Sequence, residues 1–199
     1  MSYSLSTRTV TRRIRRGLAA TALALLAAAA KALGYRLLRI RDRGALGVAD
    51  GAIPYRTTVF DDSVAGVANL DPALLAALRQ AATDAAREGV AFYVNSGWRS
   101  PEYQRQLRRE TVAEYGSEEA ASRWVSTPET SLHVAGRAVD IGPPPSAAWL
   151  SRNGAAYGLC QIYRNEPWHY ELRPEAIVHG PPPMYANPSE DPRTRRKRS

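Results

Sequence analysis

The sequence predicts an α+β fold: a single domain in which helices pack on a small, mainly antiparallel sheet. Three observations predict it. Helix-forming segments with clear start signals fill residues 71–125, and short β-rich runs cluster after residue 137. That grouping, instead of a regular strand–helix alternation, favours α+β over a doubly wound parallel sheet. The chain has 199 residues, 44% apolar and 23% charged, which suffices for one domain with its own core.

The elements follow in order. Residues 44–70 are rich in Gly, Ala, Asp and Thr and read as loop, with one short strand expected near 57–60. Asp71-Pro72 opens the clearest helix, because Asp71 can cap it and Pro72 fits a first turn that needs no N–H. Leu74, Leu75, Leu78, Ala81, Ala82 and Ala85 then recur at helical spacing, and Gly89 supplies a left-handed stop. The run 90–94 reads as a buried strand. Ser100-Pro101 starts a second helix by the same logic, broken at Gly116, and 117–125 reads as a third, short helix. A strand is expected at 137–141, ended by the prolines after Gly142, followed by a short helix at 146–152. Two strands, 160–163 and 168–172, are joined by a turn at 164–167. From Gly180 onward, proline and then basic residues indicate disorder.

The division that results is 1–32 as a signal peptide or membrane anchor, 33–69 as a linker or loop-rich entry, 70–180 as the main folded domain and 181–199 as a Pro-rich, basic, disordered tail. The first segment has five arginines within residues 1–16, then the apolar run 17–30. A positive stretch, an apolar core and a small-x-small site at Ala30-Lys31-Ala32 form the layout of a secretory signal. Continuation through Lys31 would instead make an uncleaved anchor. An exported protein of the cell envelope is expected either way, with membrane contact only through this segment.

The overall charge of +8 is an effect of the two ends. Residues 1–16 contribute +5 and residues 191–199 a net +4, which leaves the body at −1. A nucleic-acid binder should carry a basic face on its folded body, so no nucleic-acid partner is expected. Cys160 is the single cysteine, so no intrachain disulfide forms. A monomer is expected.

Two of the three histidines lie in short segments that also hold acids. One segment runs from Ser131 through His133, Gly136 and Ala138 to Asp140, and the other is Glu166-Pro167-Trp168-His169. Together they offer two imidazoles and a carboxylate as ligands, plus a spare carboxylate. That is the inventory of a catalytic zinc site, which uses three protein ligands and keeps a fourth position for water. Spacing alone leaves the alternative open, since a histidine on a strand is often a hydrogen-bonded structural residue.

The patterns S-x-H-x-x-G-x-A-x-D at 131–140 and E-P-W-H at 166–169 resemble the signature motifs of the zinc D-alanyl-D-alanine carboxypeptidases. That family includes the vancomycin-resistance D,D-carboxypeptidases and shares a zinc fold with lysostaphin-type endopeptidases and hedgehog signalling domains. Ser-Gly-Trp-Arg-Ser at 96–100 is similar to a third family segment in the expected order. The resemblance spans about residues 70–175. It implies that His133, Asp140 and His169 bind one zinc ion and that the sheet carries the site. It implies that Glu166 is the general base and then the acid. Arg99 would contact the substrate and steady developing negative charge, with Ser131 and Gln104 as further substrate contacts. The implied substrate is a D-Ala-containing peptidoglycan stem peptide. A peptidoglycan endopeptidase with the same machinery and a non-catalytic wall-binding module are the competing readings. Glu171 reads as a solvated acid or as a support for a ligand, and His179 as a surface histidine.

Overall fold

The computed structural model describes residues 46–194. The expected signal or anchor at 1–32 lies outside the described residues, as do the last five positions of the basic tail. Among the described residues no helix is long and apolar enough to cross a membrane.

Three helices and four strands make the frame. Helix α1 (Pro72–Arg87) starts where Asp71 accepts from the N–H groups of Ala73 and Leu74, at 2.9 and 3.2 Å. It ends in a paired C-terminal wrap. Gly89 takes φ of 75°, its N–H donates to Ala86 O, and the Val90 N–H donates to Ala85 O. That wrap holds residues 90–92 to the helix end, so strand β1 (Tyr93–Ser96) begins later than the apolar run suggests. Helix α2 (Pro101–Tyr115) is capped by Ser100, which accepts the Tyr103 N–H, and stops at left-handed Gly116. Strand β2 (Ala138–Gly142) leads through a cis Gly142–Pro143 peptide into helix α3 (Pro144–Asn153). Strands β3 (Leu159–Gln161) and β4 (His169–Leu172) complete the sheet.

The sheet order is β1-β2-β4-β3, and every pair is antiparallel. Side chains alternate across a strand, and here the alternation separates structure from chemistry. Val139, Ile141 and Tyr170 join the main core with Leu74 and Leu78 of α1 and Trp149 and Leu150 of α3. The Tyr170 hydroxyl donates to Ala147 O at 2.6 Å and pins α3 to that face. Leu78 is fully buried, so its truncation to alanine removes about 2–5 kcal/mol. Asp140, His169 and Glu171 fall on the alternate positions. Asp140 is paired with His169 on one side and with Ser96 on the other.

Three expectations are corrected. No strand forms at 57–60. Asp61 instead accepts from the Thr58 N–H and hydroxyl, and Thr57 donates its hydroxyl to Pro54 O, which turns the chain. The stretch 46–69 is not a mere linker, since Val59 and Val67 are fully buried in the core. Residues 181–194 are not a free tail either. Tyr185 bridges to Tyr163, and Asp191 is fully buried. Composition reads too little apolar area there, but specific polar anchors hold the segment.

Candidate metal centre

His133 sits in the turn before β2. Gly136 makes that turn: it takes φ of 69°, and a Cβ there would stand 2.6 Å from Asn69 O. Its own carbonyl accepts the Asp71 N–H, so the turn is tied to the start of α1. Gly136 thus serves chain packing.

His133 Nδ1 donates to Gly97 O at 2.8 Å, which leaves Nε2 directed at Asp140 Oδ1, 3.5 Å away. His169 Nδ1 lies 3.2 Å from the same oxygen, and its Nε2 donates to Glu171 Oε1 at 3.3 Å. Glu166 Oε2 is 3.7 Å from His169 Nδ1. All five side chains are buried. A tetrahedral ion with bonds of about 2.0–2.1 Å needs its donors about 3.3–3.4 Å apart. The two imidazole–carboxylate separations bracket that value, all three donor atoms lie within 4.8 Å of one another, and each imidazole has its remote nitrogen committed to an acceptor, which fixes the tautomer. His133, Asp140 and His169 therefore fit one divalent ion, and together they form a group that could hold a metal.

The electrostatics divide the site. Burial and the Arg99 guanidinium pull His133 below its ordinary value, against Asp140. Burial opposes charge on His169 as well, but the hydrogen bonds it donates to Asp140 and Glu171 outweigh it and push the imidazole up to about 10. Burial also opposes ionisation of Asp140, yet both imidazoles hold it well below the carboxylate range. For Glu166 burial outweighs the pull of the His169 and Arg99 charges and pushes it up to about 7. A carboxyl poised there can both take and return a proton near neutral pH.

Arg99 is brought to this centre. It donates to Ser96 Oγ at 2.8 Å, to Gln104 Oε1 at 3.0 Å and to Asp140 Oδ2 at 3.4 Å. Gln104 is 1% exposed and spends its amide N–H on Ser126 O, so it orients Arg99 from behind. Ser131 is buried, and its hydroxyl accepts the Val134 N–H at 3.4 Å within the His133 turn. The sequence did not single out Ser96, the Gly97 carbonyl or Tyr163, whose ring lies 4.9 Å from that of His169. Glu171 is a buried support for a ligand, not a solvated acid. The signal for it was its spacing of two from His169 on a strand, which puts both on one face. His179 is exposed, as expected.

The fold and site define an α+β domain with a buried three-donor metal centre beside a carboxyl of raised pKa. The chain belongs to the VanY D-alanyl-D-alanine carboxypeptidase family, whose profile matches residues 67–175. A D-alanyl-D-alanine carboxypeptidase of Enterococcus faecalis (strain ATCC 700802 / V583) is 35% identical over 113 residues. That match covers 44% of this chain and only 42% of the relative, so the chain spans less than half the length of that curated protein. The structure of VanYB in complex with D-Alanine-D-Alanine is 29% identical, with a TM-score of 0.51, over 56% of this chain and 78% of that one. A Zn(II) complex of a mutant vancomycin-resistance D,D-pentapeptidase is 31% identical, with a TM-score of 0.49, over 52% and 72% of the two chains.

Proposed function

We propose that this protein is an exported, zinc-dependent D-alanyl-D-alanine carboxypeptidase that removes the terminal D-Ala from peptidoglycan stem peptides. The observation that carries the reading is the convergence of His133, Asp140 and His169, with Glu166 3.7 Å from a ligand nitrogen. The solved relative that holds D-Alanine-D-Alanine supports the substrate class. The arginine-rich and apolar start of the sequence supports export to where that substrate lies.

Zinc held by two imidazoles and a carboxylate supplies Lewis acidity and lowers the pKa of water beside it. The residues of this chain do the rest. Glu166 accepts the proton of the attacking water and delivers it to the departing amine, a dual role that suits a carboxyl buried beside the ligands. Arg99, fixed by Ser96 and Gln104, presents its guanidinium to the negative charge that develops on the scissile carbonyl, a contribution of about 3–4 kcal/mol for one well-aimed donor. Gln104 acts through Arg99, and Ser131, in the His133 turn, is the further candidate for substrate contact. The burial of Glu166 and His169 excludes bulk water from the proton path.

The test is a pentapeptide stem ending in D-Ala-D-Ala, incubated with and without chelator and read by mass spectrometry. Loss of one alanine, stopped by the chelator, is the expected result. Glu166→Gln should keep zinc and lower kcat by about 10²–10⁴-fold. Cleavage at an internal bond would transfer the machinery to an endopeptidase. Zinc binding without any cleavage would turn the domain into a wall-binding module.

A further inference from the structure

The stretch after residue 180 lies beyond the part of the chain that matches the family, 67–175. Its path is nevertheless specific. The Tyr185 N–H donates to Ile162 O, and the Arg164 N–H donates to Tyr185 O, both at 3.0 Å. Asn187 then caps a short turn at Pro188–Glu190 by accepting the Ser189 N–H. The Thr194 hydroxyl donates to Pro188 O and closes the segment into a loop.

Inside that loop, Asp191 and Arg193 reach two partners of His169. Fully buried Asp191 accepts from the Tyr163 hydroxyl at 2.9 Å and from Arg193 through both its N–H and its Nε, also at 2.9 Å. Arg193 donates to Glu171 Oε2 at 2.7 Å and to Oε1 at 3.4 Å. Glu171 in turn receives His169 Nε2 at its edge, while the Tyr163 ring lies against the face of the same imidazole. Glu171 and Tyr163, two side chains that contact one metal ligand, thus both reach the C-terminal Asp191–Arg193 pair, while Arg173 also donates to Glu171 Oε2. His133 is held from another side, by the Gly97 carbonyl, with Asp140 at 3.5 Å.

We propose that Asp191 and Arg193 are positioning residues that clasp the metal centre by fixing the orientation of His169 through Glu171 and Tyr163. The inference rests on the metal-site reading and goes beyond it, because it makes metal affinity depend on residues outside the family's shared stretch. Partners behind a ligand commonly set affinity by about 10–100-fold.

The experiment uses the full chain loaded with cobalt(II), whose visible spectrum reports ligand geometry, and zinc affinity from chelator competition. Binding by the parent protein is read first, and this does not depend on which peptide is cut, so failure of the peptidase reading stays separate. Arg193→Gln should weaken zinc by about 10–100-fold and shift the cobalt bands. Arg193→Lys should recover part of the affinity, because it restores the charge but not the two-pronged contact. Tyr163→Phe keeps the ring, removes only the hydroxyl that reaches Asp191, and should shift the bands less. It also covers the case in which Arg193→Gln fails to fold by circular dichroism. Zinc affinity and cobalt bands equal to the parent's in folded Arg193→Gln, or in Tyr163→Phe should the former not fold, would overturn the proposal.

Discussion

The two imidazoles of the centre reach the same carboxylate oxygen from opposite kinds of support. His133 is held by a neutral backbone carbonyl, that of Gly97, and lies within reach of the Arg99 field. His169 is held by a buried carboxylate and has Asp140, Glu166 and Glu171 around it. The carbonyl leaves its histidine neutral and ready to ligate. The carboxylates make theirs the cation of the metal-free protein. A metal ion therefore finds one half of its site prepared and, in the other half, takes the place of a proton.

The largest break of this comparison comes from deleting each ring in the metal-free protein. His169→Ala removes the cation that compensates buried carboxylates and should cost about 3–5 kcal/mol near neutral pH. His133→Ala leaves only a carbonyl without its donor and should cost about 1–3 kcal/mol. Urea unfolding measures both, and equal losses would mean that the two supports do not differ. The neutral half can also be disturbed without touching its ring. A Cβ on Gly97 would lie 1.9 Å from Gly66 O, so Gly97→Ala must displace the carbonyl that holds His133. The expected loss is about 1–3 kcal/mol, with weakened zinc binding in the same variant.

The smallest effect sharpens the contrast through protons. The folded-state pKa of His169, about 10, lies above its ordinary 6.5. Its charge thus stabilises the metal-free fold fully below 6.5, and that contribution is lost as pH rises to about 10. Glu166, raised from 4.5 to about 7, costs stability when ionised, and the cost is relieved as pH falls from 7 towards 4.5. Both effects favour mild acidity, so the metal-free protein should melt higher at about pH 6 than at about pH 9. Zinc uptake at about pH 8 should release one proton from His169 and close to one more from water beside the ion, with none from His133, as an indicator dye in weak buffer would read. Three protons released would contradict the neutral state assigned to His133.

Much of this site was legible because its parts are close in sequence. Seven residues carry the chain from His133 to Asp140, and three from Glu166 to His169, so local geometry alone brings each set near the sheet. The caps at Asp71 and Ser100 were equally local and form where the sequence places them. The supports were less legible. Gly97 acts through its carbonyl, which no side-chain pattern marks. Arg193 meets Glu171 across 22 residues, and a buried acid–arginine pair looks in sequence like two solvated charges. Gln104 showed its position after Arg99 but not that its amide would be turned to Ser126 O. Residues 181–194 escaped because composition weighs apolar area, whereas one buried aspartate and one backbone bridge anchor them.

The direct pairing of Asp140 with His169 in the β2–β4 ladder has a consequence for how the protein is made. Successive side chains point to opposite faces, so a one-residue slip between these strands would send one of the two donors into the apolar layer. A mispaired chain could not chelate. An ion bound by these donors would therefore stabilise only the correct alignment and widen its margin over a slipped one.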